Sequence, residues 1–236
     1  MVLRYILVIL ALSATFTLGA QEEQKRKKSE LEIVSGLNFF GPAPQMARLM
    51  EDFNFDQTTR PYWGDRTKEH PNHSPFGAFL QIAYSHYLGQ KSQLGIILQS
   101  ASLRTVEGYH PQAGELEVWF SNASIIATYN YDLNHRWEVQ AGPAMMVNSS
   151  QGTYPDTEDF TEYTSISPGA FLGLSARVWD SMVTYGKIGT QLLICGRIST
   201  GPFSAESSFN QASATIPKRE LGYSHYNIYF AFGLHL

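Results

Sequence analysis

The final stretch of the chain, residues 223–236 (YSHYNIYFAFGLHL), separates its side chains by parity. Even positions from Tyr226 to Leu236 are large and apolar, whereas odd positions are small or polar. Successive side chains of a strand point to opposite faces, so one face here is wholly apolar. A soluble protein rarely carries such a face on a terminal strand, because the edge would aggregate. A strand whose apolar face meets lipid has no such problem, and the pattern predicts a membrane-spanning strand.

Parity identifies seven further candidate strands, and two of them alternate poorly. The candidates are residues 33–40, 76–88, 94–105, 116–131, 136–147, 162–178 and 182–198. In the third, Ile96 and Ile97 fall on opposite faces, which a β-bulge at an unknown position would reconcile. In the fourth, the apolar parity changes along the strand, and a bulge near Asn122 would explain it. Pro143 in the fifth removes a ladder donor from an otherwise clear alternation.

The connections between these strands alternate strictly in length. Residues 89–93, 132–135 and 179–181 are short connections, and residues 41–75, 106–115, 148–161 and 199–222 are long ones. Small membrane barrels have short turns at one end and long loops at the other, with both chain ends on the short-turn side. The sequence therefore predicts an all-β protein, an eight-stranded antiparallel up-and-down transmembrane β-barrel.

The N-terminal region is predicted to lie outside the barrel. Residues 1–20 have one cation followed by an apolar run and small residues, as in a secretory signal peptide cleaved after Ala20. An uncleaved anchor is the alternative, but the apolar part is shorter than the roughly 18–20 residues a spanning helix needs. Residues 21–30 form a charged periplasmic tail. A basic lipid-binding patch is the alternative, which three glutamates weaken. The barrel is expected over residues 31–236.

Composition removes some classes of protein. The formal net charge of −4 argues against nucleic acid as a partner. Cys195 is the only cysteine, so an intrachain disulfide is impossible. No phosphate-binding glycine loop or dinucleotide fingerprint is present, and we expect no cofactor.

Two local patterns add detail to the barrel. Aromatic residues cluster beside the short turns, as in an interfacial girdle: Tyr84, Tyr87, Tyr129, Tyr131, Trp137 and Trp179. Within residues 41–55, Met46, Leu49, Met50 and Phe53 recur at helical spacing after Pro44, which predicts a short helix. That helix would cap the barrel mouth, lie on the membrane surface or pack under other loop residues.

Together, the export signal, the eight segments, the alternating connections and the aromatic final strand resemble small bacterial outer-membrane β-barrel proteins of the OmpA/OmpX type. The resemblance covers about residues 31–236. It implies a bacterial outer membrane location, contact with outer-membrane lipids, and periplasmic chain ends. In that family the final strand is read by the barrel-assembly machinery. The role would fall to Tyr226, Ile228, Phe230, Phe232, Leu234 and Leu236, with Leu236 standing where a terminal Phe is usual.

Charged residues on the inward parity predict an ionic core. An eight-stranded barrel is only wide enough to be filled by side chains, and acids and bases enclosed there would pair. The predicted inward charges are Glu117, Arg136, Glu138, Arg177, Lys187 and Arg197. A narrow selective pore or a proton-linked path is the alternative use of the same residues.

Catalysis has weaker support in the sequence. Some barrels that resemble this one are enzymes that remove or transfer lipid A acyl chains with His and Ser at the outer rim. The candidates here are His70, His73, Ser74, His110, Asp156 and Glu158, in predicted outer loops. No spacing joins them into a nucleophile and base, and the His70-x-x-His73 pair lacks further metal ligands.

We therefore expect a non-enzymatic structural or binding protein of the envelope, acting through its outer loops on an unidentified partner. Three alternatives remain open. They are a small transporter or channel for hydrophobic or ionic solutes, a lipid A-modifying enzyme, and a soluble secreted barrel with a ligand inside.

Overall fold

The computed structural model describes residues 28–55, 71–73, 76–154, 159–206 and 212–236. Most of them form strands. The elements are β1 Ser29–Phe40, α1 Ala43–Asp52, β2 Asn72–His73, β3 Phe76–Tyr87, β4 Ser92–His110, β5 Gly114–Asp132, β6 Trp137–Tyr154, β7 Asp159–Asp180, β8 Thr184–Thr200, β9 Phe203–Glu206, β10 Ser213–Ile216 and β11 Arg219–His235. The predicted signal peptide lies outside the described residues.

Eight long antiparallel strands close into a barrel. Their order is β4-β3-β1-β11-β8-β7-β6-β5, and β5 pairs back with β4. The two chain ends of the described part meet, because the Lys28 amide donates to the Leu236 carbonyl at 3.3 Å. They meet at the end that carries the turns after β3, β5 and β7, which we call the short-turn end; the opposite one is the long-loop end. The predicted fold class is confirmed. The barrel starts slightly earlier than predicted, since β1 begins at Ser29.

The half of the barrel nearer the short turns is apolar outside and polar inside. Outward residues that are about half exposed come from every strand and include Ile33, Ile82, Ile96, Ile125, Met145, Leu172, Ile188 and Phe230. Between them, inward residues such as Gln81, Gln99, Asn130 and Asn227 are buried. Water would penalise that outer band, whereas hydrocarbon would not. On β11 the even positions face out and the odd ones in, as the sequence predicted.

The half nearer the long loops reverses this arrangement. Strand β5 buries every even residue from Gly114 to Asn130 without interruption. From Asn130 to Asn122 its inward residues are polar except for Ile126, and beyond Asn122 they are apolar, at Phe120, Val118 and Leu116. The predicted bulge near Asn122 is therefore wrong. What changes along β5 is the chemistry of the interior, while the facing of the strand stays the same.

Strand lengths explain how one strand serves both halves. β4 and β5 have 19 residues each and β7 has 22, whereas a tilted spanning strand needs only about 9–11. The extra length projects beyond the apolar band. The predicted long loop over residues 106–115 is accordingly wrong, because β4 and β5 continue until a turn of residues 111–113 joins them. Likewise, β6 and β7 extend into the predicted loop of residues 148–161.

Three bulges among the described strands shift the facing of the strands that carry them, and one of them lies in β7 between Arg177 and Trp179. Between the pairs Ala101–Asn122 and Arg104–Phe120, β4 uses one more residue than β5. Between the pairs Ile194–Ser224 and Arg197–Gly222, β8 uses one more residue than β11. The extra residue in β8 turns the remainder of the strand over. Ile198 is therefore buried inside, against the prediction that it faces outward.

Helix α1 confirms the helix predicted within residues 41–55. Pro42 is its N-cap, and the Met46 amide donates to the Pro42 carbonyl at 2.9 Å. Asn54 ends the helix in the left-handed conformation at φ 61°, which Asn tolerates. This turn lets the Phe55 amide donate to the Met50 carbonyl at 2.9 Å and sends the Phe55 ring back inside the barrel.

The helix closes the long-loop end together with the β9–β10 hairpin. We call these two elements and Phe55 the apolar plug. Met46, Met50 and Phe55 are fully buried, and so is Phe203 of the hairpin. They pack against inward residues of the barrel wall, namely Val106, Leu116, Val118, Phe120, Ile198 and Leu221. Of the predicted locations for this helix, the barrel mouth is the one observed. No helix in the described ranges has the length and apolarity to cross a membrane.

Candidate functional site

The interior at the short-turn end contains a buried cluster of charges, which we call the ionic cluster. Its members come from four strands: Glu30 and Glu32 from β1, Glu138 from β6, Arg177 from β7 and Lys187 from β8. Glu30 is 0% exposed, and Glu138 and Lys187 are each 1% exposed. Charges this deeply buried are tolerated only when they are paired and hydrogen-bonded.

Lys187 is the centre of the ionic cluster. Its Nζ donates to Glu138 Oε2 at 2.8 Å and also to Glu32 Oε1, and it lies 3.7 Å from Glu30 Oε2. Arg177 Nη2 donates to Glu30 Oε1 at 2.7 Å. The two cations thus bind three carboxylates, and a line of ion pairs crosses the lumen from β1 to β6.

Two tyrosine hydroxyls and one imidazole surround the carboxylates. The Tyr185 hydroxyl lies 2.8 Å from Glu32 Oε1 and 3.1 Å from Glu30 Oε2, and the Tyr87 hydroxyl donates to Glu30 Oε1 at 2.8 Å. His235 bridges Glu30 and Asp180, with Nδ1 3.3 Å from the first and Nε2 2.8 Å from the second. The cluster is therefore a connected network, the arrangement that makes buried charge acceptable.

A glycine makes room for the cluster. The Tyr185 ring is fully buried and lies across Gly233 on the neighbouring strand β11. A Cβ at Gly233 would fall 2.1 Å from Tyr185 Cζ, far inside van der Waals contact. The ring also stacks against His235 with centroids 4.5 Å apart, and Arg177 Cζ lies 4.8 Å above it. The missing side chain at Gly233 thus fixes where Tyr185, and with it the Glu30–Glu32 pair, is held.

Three of the predicted inward charges lie in this cluster: Glu138, Arg177 and Lys187. The other three are elsewhere. The Arg197 side chain is 75% exposed and pairs with Glu220 at 2.9 Å, because the β8 bulge reverses its face. Arg136 is exposed in the turn after β5. Glu117 lies on the outward parity of β5, opposite Glu107 of β4 and beyond the apolar band.

The sequence prediction missed Glu30, Glu32 and the tyrosines. Glu30 was assigned to a flexible tail because it ends a run of charges, QEEQKRKKSE. The available signal was parity, since Glu30 and Glu32 share a face with Gly36 and Asn38, the small and polar face of the first strand. Tyr87 was assigned to the girdle, but its position in β3 is inward and its hydroxyl enters the cluster.

The remaining aromatic residues at the short-turn end face outward. Tyr84, Tyr129, Tyr131 and Trp137 are each 38–48% exposed. Trp179 lies over Gly186 with its ring 5.6 Å from that of Phe230. Five of the six predicted girdle residues therefore lie outside at one end of the apolar band, on β3, β5, β6 and β7, as expected where lipid headgroups meet water.

The residues predicted as an assembly signal lie on the outward face of β11 or at its end. Ile228, Phe230, Phe232 and Leu236 are exposed, and Tyr226 and Leu234 are half-buried. The apolar face of the final strand is thus presented on the outside of the barrel. Its recognition by the assembly machinery stays a prediction.

Between the ionic cluster and the apolar plug, the lumen is lined largely by amides and hydroxyls. Several of their buried atoms have no hydrogen-bond partner within the described residues: Gln81 Oε1, Gln99 Oε1, Asn122 Oδ1, Thr128 Oγ1, Gln191 Nε2 and Asn227 Oδ1. Buried polar atoms of this kind are usually satisfied by water. An apolar group formed by Ile97, Ile126, Ala144, Met146, Phe171 and Leu193 fills part of this section.

His110 and His225 make hydrogen bonds within the barrel itself. His110 Nδ1 accepts from the Gln112 and Ala113 amides at 3.2 and 3.1 Å, which closes the turn between β4 and β5. His225 is buried in the lumen against Gln99 at 3.1 Å. His70, Ser74, Asp156 and Glu158 lie outside the described residues, and of His73 only the backbone is described. No group of three or more potential metal ligands occurs among the residues with a described position.

Comparison with known proteins gives distant structural matches. The Ail attachment invasion locus protein of Yersinia pestis is 8% identical, with 89% of this chain and 97% of that chain covered and a TM-score of 0.41. OprG of Pseudomonas aeruginosa is 12% identical, covering 91% and 100%, with a TM-score of 0.42. The outer membrane protease OmpT of Escherichia coli is 7% identical, covering 92% and 99%, with a TM-score of 0.43. No protein-family model matches the chain, and no curated protein sequence does. Nothing about the activity of this chain follows from likenesses so distant.

Proposed function

We propose that this chain is an integral outer-membrane β-barrel of a bacterial envelope, with a structural or binding role and no conducting pore. The observation that carries the proposal is a lumen filled at two levels inside a barrel with an apolar outer band. The ionic cluster crosses it near the short turns, and the apolar plug fills the long-loop end. A barrel of eight strands has little room beyond such fillings.

Membrane location is supported by the outer surface. Side chains such as Leu80, Ile125 and Ile166 are 54%, 59% and 71% exposed, and they belong to a band that runs around all eight strands. Exposed apolar area on that scale is far above what a soluble monomer carries. The proposed orientation has both chain ends in the periplasm, because short turns face the periplasm in barrels of this kind.

The binding role is proposed for the long-loop end. There the strands continue beyond the band with a polar outside and an apolar inside, and the plug is hydrogen-bonded to the wall. Gln45 of α1 both accepts from the Gly222 amide at 3.0 Å and donates to its carbonyl at 3.3 Å. A rigid projecting surface supports recognition of a partner.

Planar-bilayer recording tests the closed lumen. The purified, refolded protein is expected to give no conductance steps. A variant with α1 and Phe55 excised, residues 43–55, serves as the comparison. Reproducible steps from the intact protein would contradict the proposal. Fractionation tests location separately, and recovery of the protein in soluble periplasm would contradict an integral barrel.

A gated transporter is the second candidate, and the polar middle of the lumen favours it. If α1 leaves the mouth, solutes would enter a section lined by hydratable amides. Cross-linking cysteines placed at Gln45 and Gly222, in a Cys195→Ser background, would lock the helix to β11. A transporter shows solute flux into liposomes that the cross-link abolishes and that either single cysteine leaves unchanged. The closed barrel that we propose shows no flux in any of them.

The proposal also excludes an enzymatic role. The turn-closing contacts of His110 support this, since its Nδ1 already accepts two backbone amides. Mass spectrometry of lipid A from cells with and without the protein is expected to show the same acyl chains. A reproducible difference that depends on His110 or His73 would overturn this part of the proposal.

A further inference from the structure

The outer surface of the barrel has an apolar groove near the short-turn end, across β3, β4, β5 and β6. Its volume is about 530 Å³, within the usual range of small-molecule sites. Its lining includes the small residues Gly95, Ala127, Ala141 and Gly142 and the larger apolar residues Leu94 and Pro143. Because these strands face lipid in the proposed location, the groove opens toward acyl chains.

The backbone explains why a depression forms there. Pro143 has no amide to donate, and the β5–β6 pairing is interrupted between the pairs Ile126–Ala144 and Tyr129–Ala141. Gly142 lies so close to β5 that a Cβ would fall 1.8 Å from the Ala127 carbonyl oxygen. A side chain at Gly142 is therefore excluded, and the outward positions around it carry Ala127, Ala141 and Pro143.

Two tyrosines connect the groove to the rim of the barrel. Tyr84 and Tyr129 line it. The Tyr84 hydroxyl lies 3.0 Å from Ser29 Oγ, and the Tyr129 hydroxyl lies 2.9 Å from Ser92 Oγ. Each serine directly follows a lysine along the chain, Lys28 or Lys91. The groove thus ends in hydroxyl groups that are one residue away from two cations.

Exposed cations at this rim outnumber the acids, which are the exposed Asp180, paired with Arg177, and the half-buried Asp132. Lys28, Lys91 and Arg136 are exposed at the short-turn ends of β1, β4 and β6. The acid next to Lys28, Glu30, is buried and turned into the ionic cluster, so it does not neutralise the surface. One of the three glutamates that weakened a basic lipid-binding patch in the sequence is therefore turned away from the surface.

We propose that this groove and rim bind one anionic glycerophospholipid of the leaflet at the short-turn end. An acyl chain lies over Gly95, Ala127 and Ala141, and the phosphate lies beside Lys28, Lys91 and Arg136. Tyrosine and serine hydroxyls then meet the glycerol region, where an apolar chain gives way to a polar head. Cations beside a membrane surface favour anionic lipids, by about fivefold for each one at ~1 kcal/mol. The inference rests on the proposed membrane location.

Native mass spectrometry of the full mature protein in detergent, titrated with phosphatidylglycerol or phosphatidylcholine, tests the site. The wild type is expected to retain phosphatidylglycerol in preference to phosphatidylcholine. Lys91→Gln/Arg136→Gln should lower that preference by about tenfold or more and leave phosphatidylcholine retention unchanged. Ala141→Phe, which fills the groove, should weaken retention of both lipids.

Two matched variants control for charge and for bulk. Lys218→Gln/Arg219→Gln removes two exposed cations from the long-loop end, and Ala78→Phe adds a ring on the outward face of β3 outside the groove. Neither should change lipid retention. Equal loss in either control would overturn the proposal, and so would an unchanged preference in Lys91→Gln/Arg136→Gln. Tighter retention of lipopolysaccharide, if Ala141→Phe abolishes it, would also overturn it. Retention of the wild type in vesicle membranes under alkaline extraction shows separately that membrane location holds.

Discussion

Replacing Lys187 with methionine tests the ionic cluster directly. Lys187 is 1% exposed and is shared by Glu32, Glu138 and, at 3.7 Å, Glu30. Methionine keeps most of the volume but leaves buried carboxylates without their cation. Removing one partner of a buried ion pair costs about 3–5 kcal/mol. Urea-induced unfolding from phospholipid vesicles, followed by tryptophan fluorescence, should show a loss of that size in the free energy of unfolding.

A rescue variant separates charge from packing. In Lys187→Met/Glu32→Gln/Glu138→Gln no uncompensated carboxylate remains beside residue 187, and most of the lost stability should return. Lys218→Met, which removes an exposed lysine at the long-loop end, should stay within about 0.5 kcal/mol of the wild type. If Lys187→Met is as stable as the wild type, or if the triple variant is no better than the single one, the cluster does not stabilise the barrel as described.

Three further changes test other parts of the fold. Gly233→Ala should destabilise the barrel by more than 2 kcal/mol in the same unfolding assay, because its methyl group would overlap the Tyr185 ring; an unchanged free energy would mean that the ring is not held there. Met50→Ala should make the α1 segment susceptible to trypsin cleavage after Arg48 through loss of about 2–5 kcal/mol of packing, whereas Asp52→Ala, at an exposed position of the same helix, should not; equal protection of Met50→Ala and wild type would contradict the plug. Partial burial and two neighbouring glutamates raise the pKa of Glu117, so its charged form opposes folding and stability falls as pH rises through that pKa. Glu117→Gln should therefore flatten the pH dependence of unfolding above the ordinary glutamate pKa of about 4.3, and an identical pH profile would contradict it.

The lipid-facing half of the barrel was predictable because its surroundings impose a period of two. Hydrocarbon outside and a polar lumen inside force alternation, and β6, β7 and β11 show it over most of their length. Beyond the band both conditions reverse, so that Leu116 and Phe120 are inward whereas Ile125 is outward on one unbroken strand. From sequence alone, that reversal has the same appearance as a bulge.

The ionic cluster was only partly predictable. Glu138 and Lys187 stand on the inward parity of regular strands, which the sequence shows. Their partner Glu32 precedes the first clear alternation, and its approach to Lys187 depends on how barrel closure sets the register of β1, β11 and β8. Arg197 was misplaced because a bulge reverses the end of β8, and neither residue composition nor spacing marks that bulge.

The central claim is that the even-numbered face of β11 contacts acyl chains. Reconstitution of the wild-type protein with a phospholipid that carries a photoreactive group in its acyl chain tests it without mutation, since the cross-linked residues can be located by mass spectrometry. Cross-links are expected at Ile228, Phe230 and Phe232, and none at Asn227 or Ala231, which are buried. Labelling of both parities alike, or of neither, would contradict a barrel that spans the membrane.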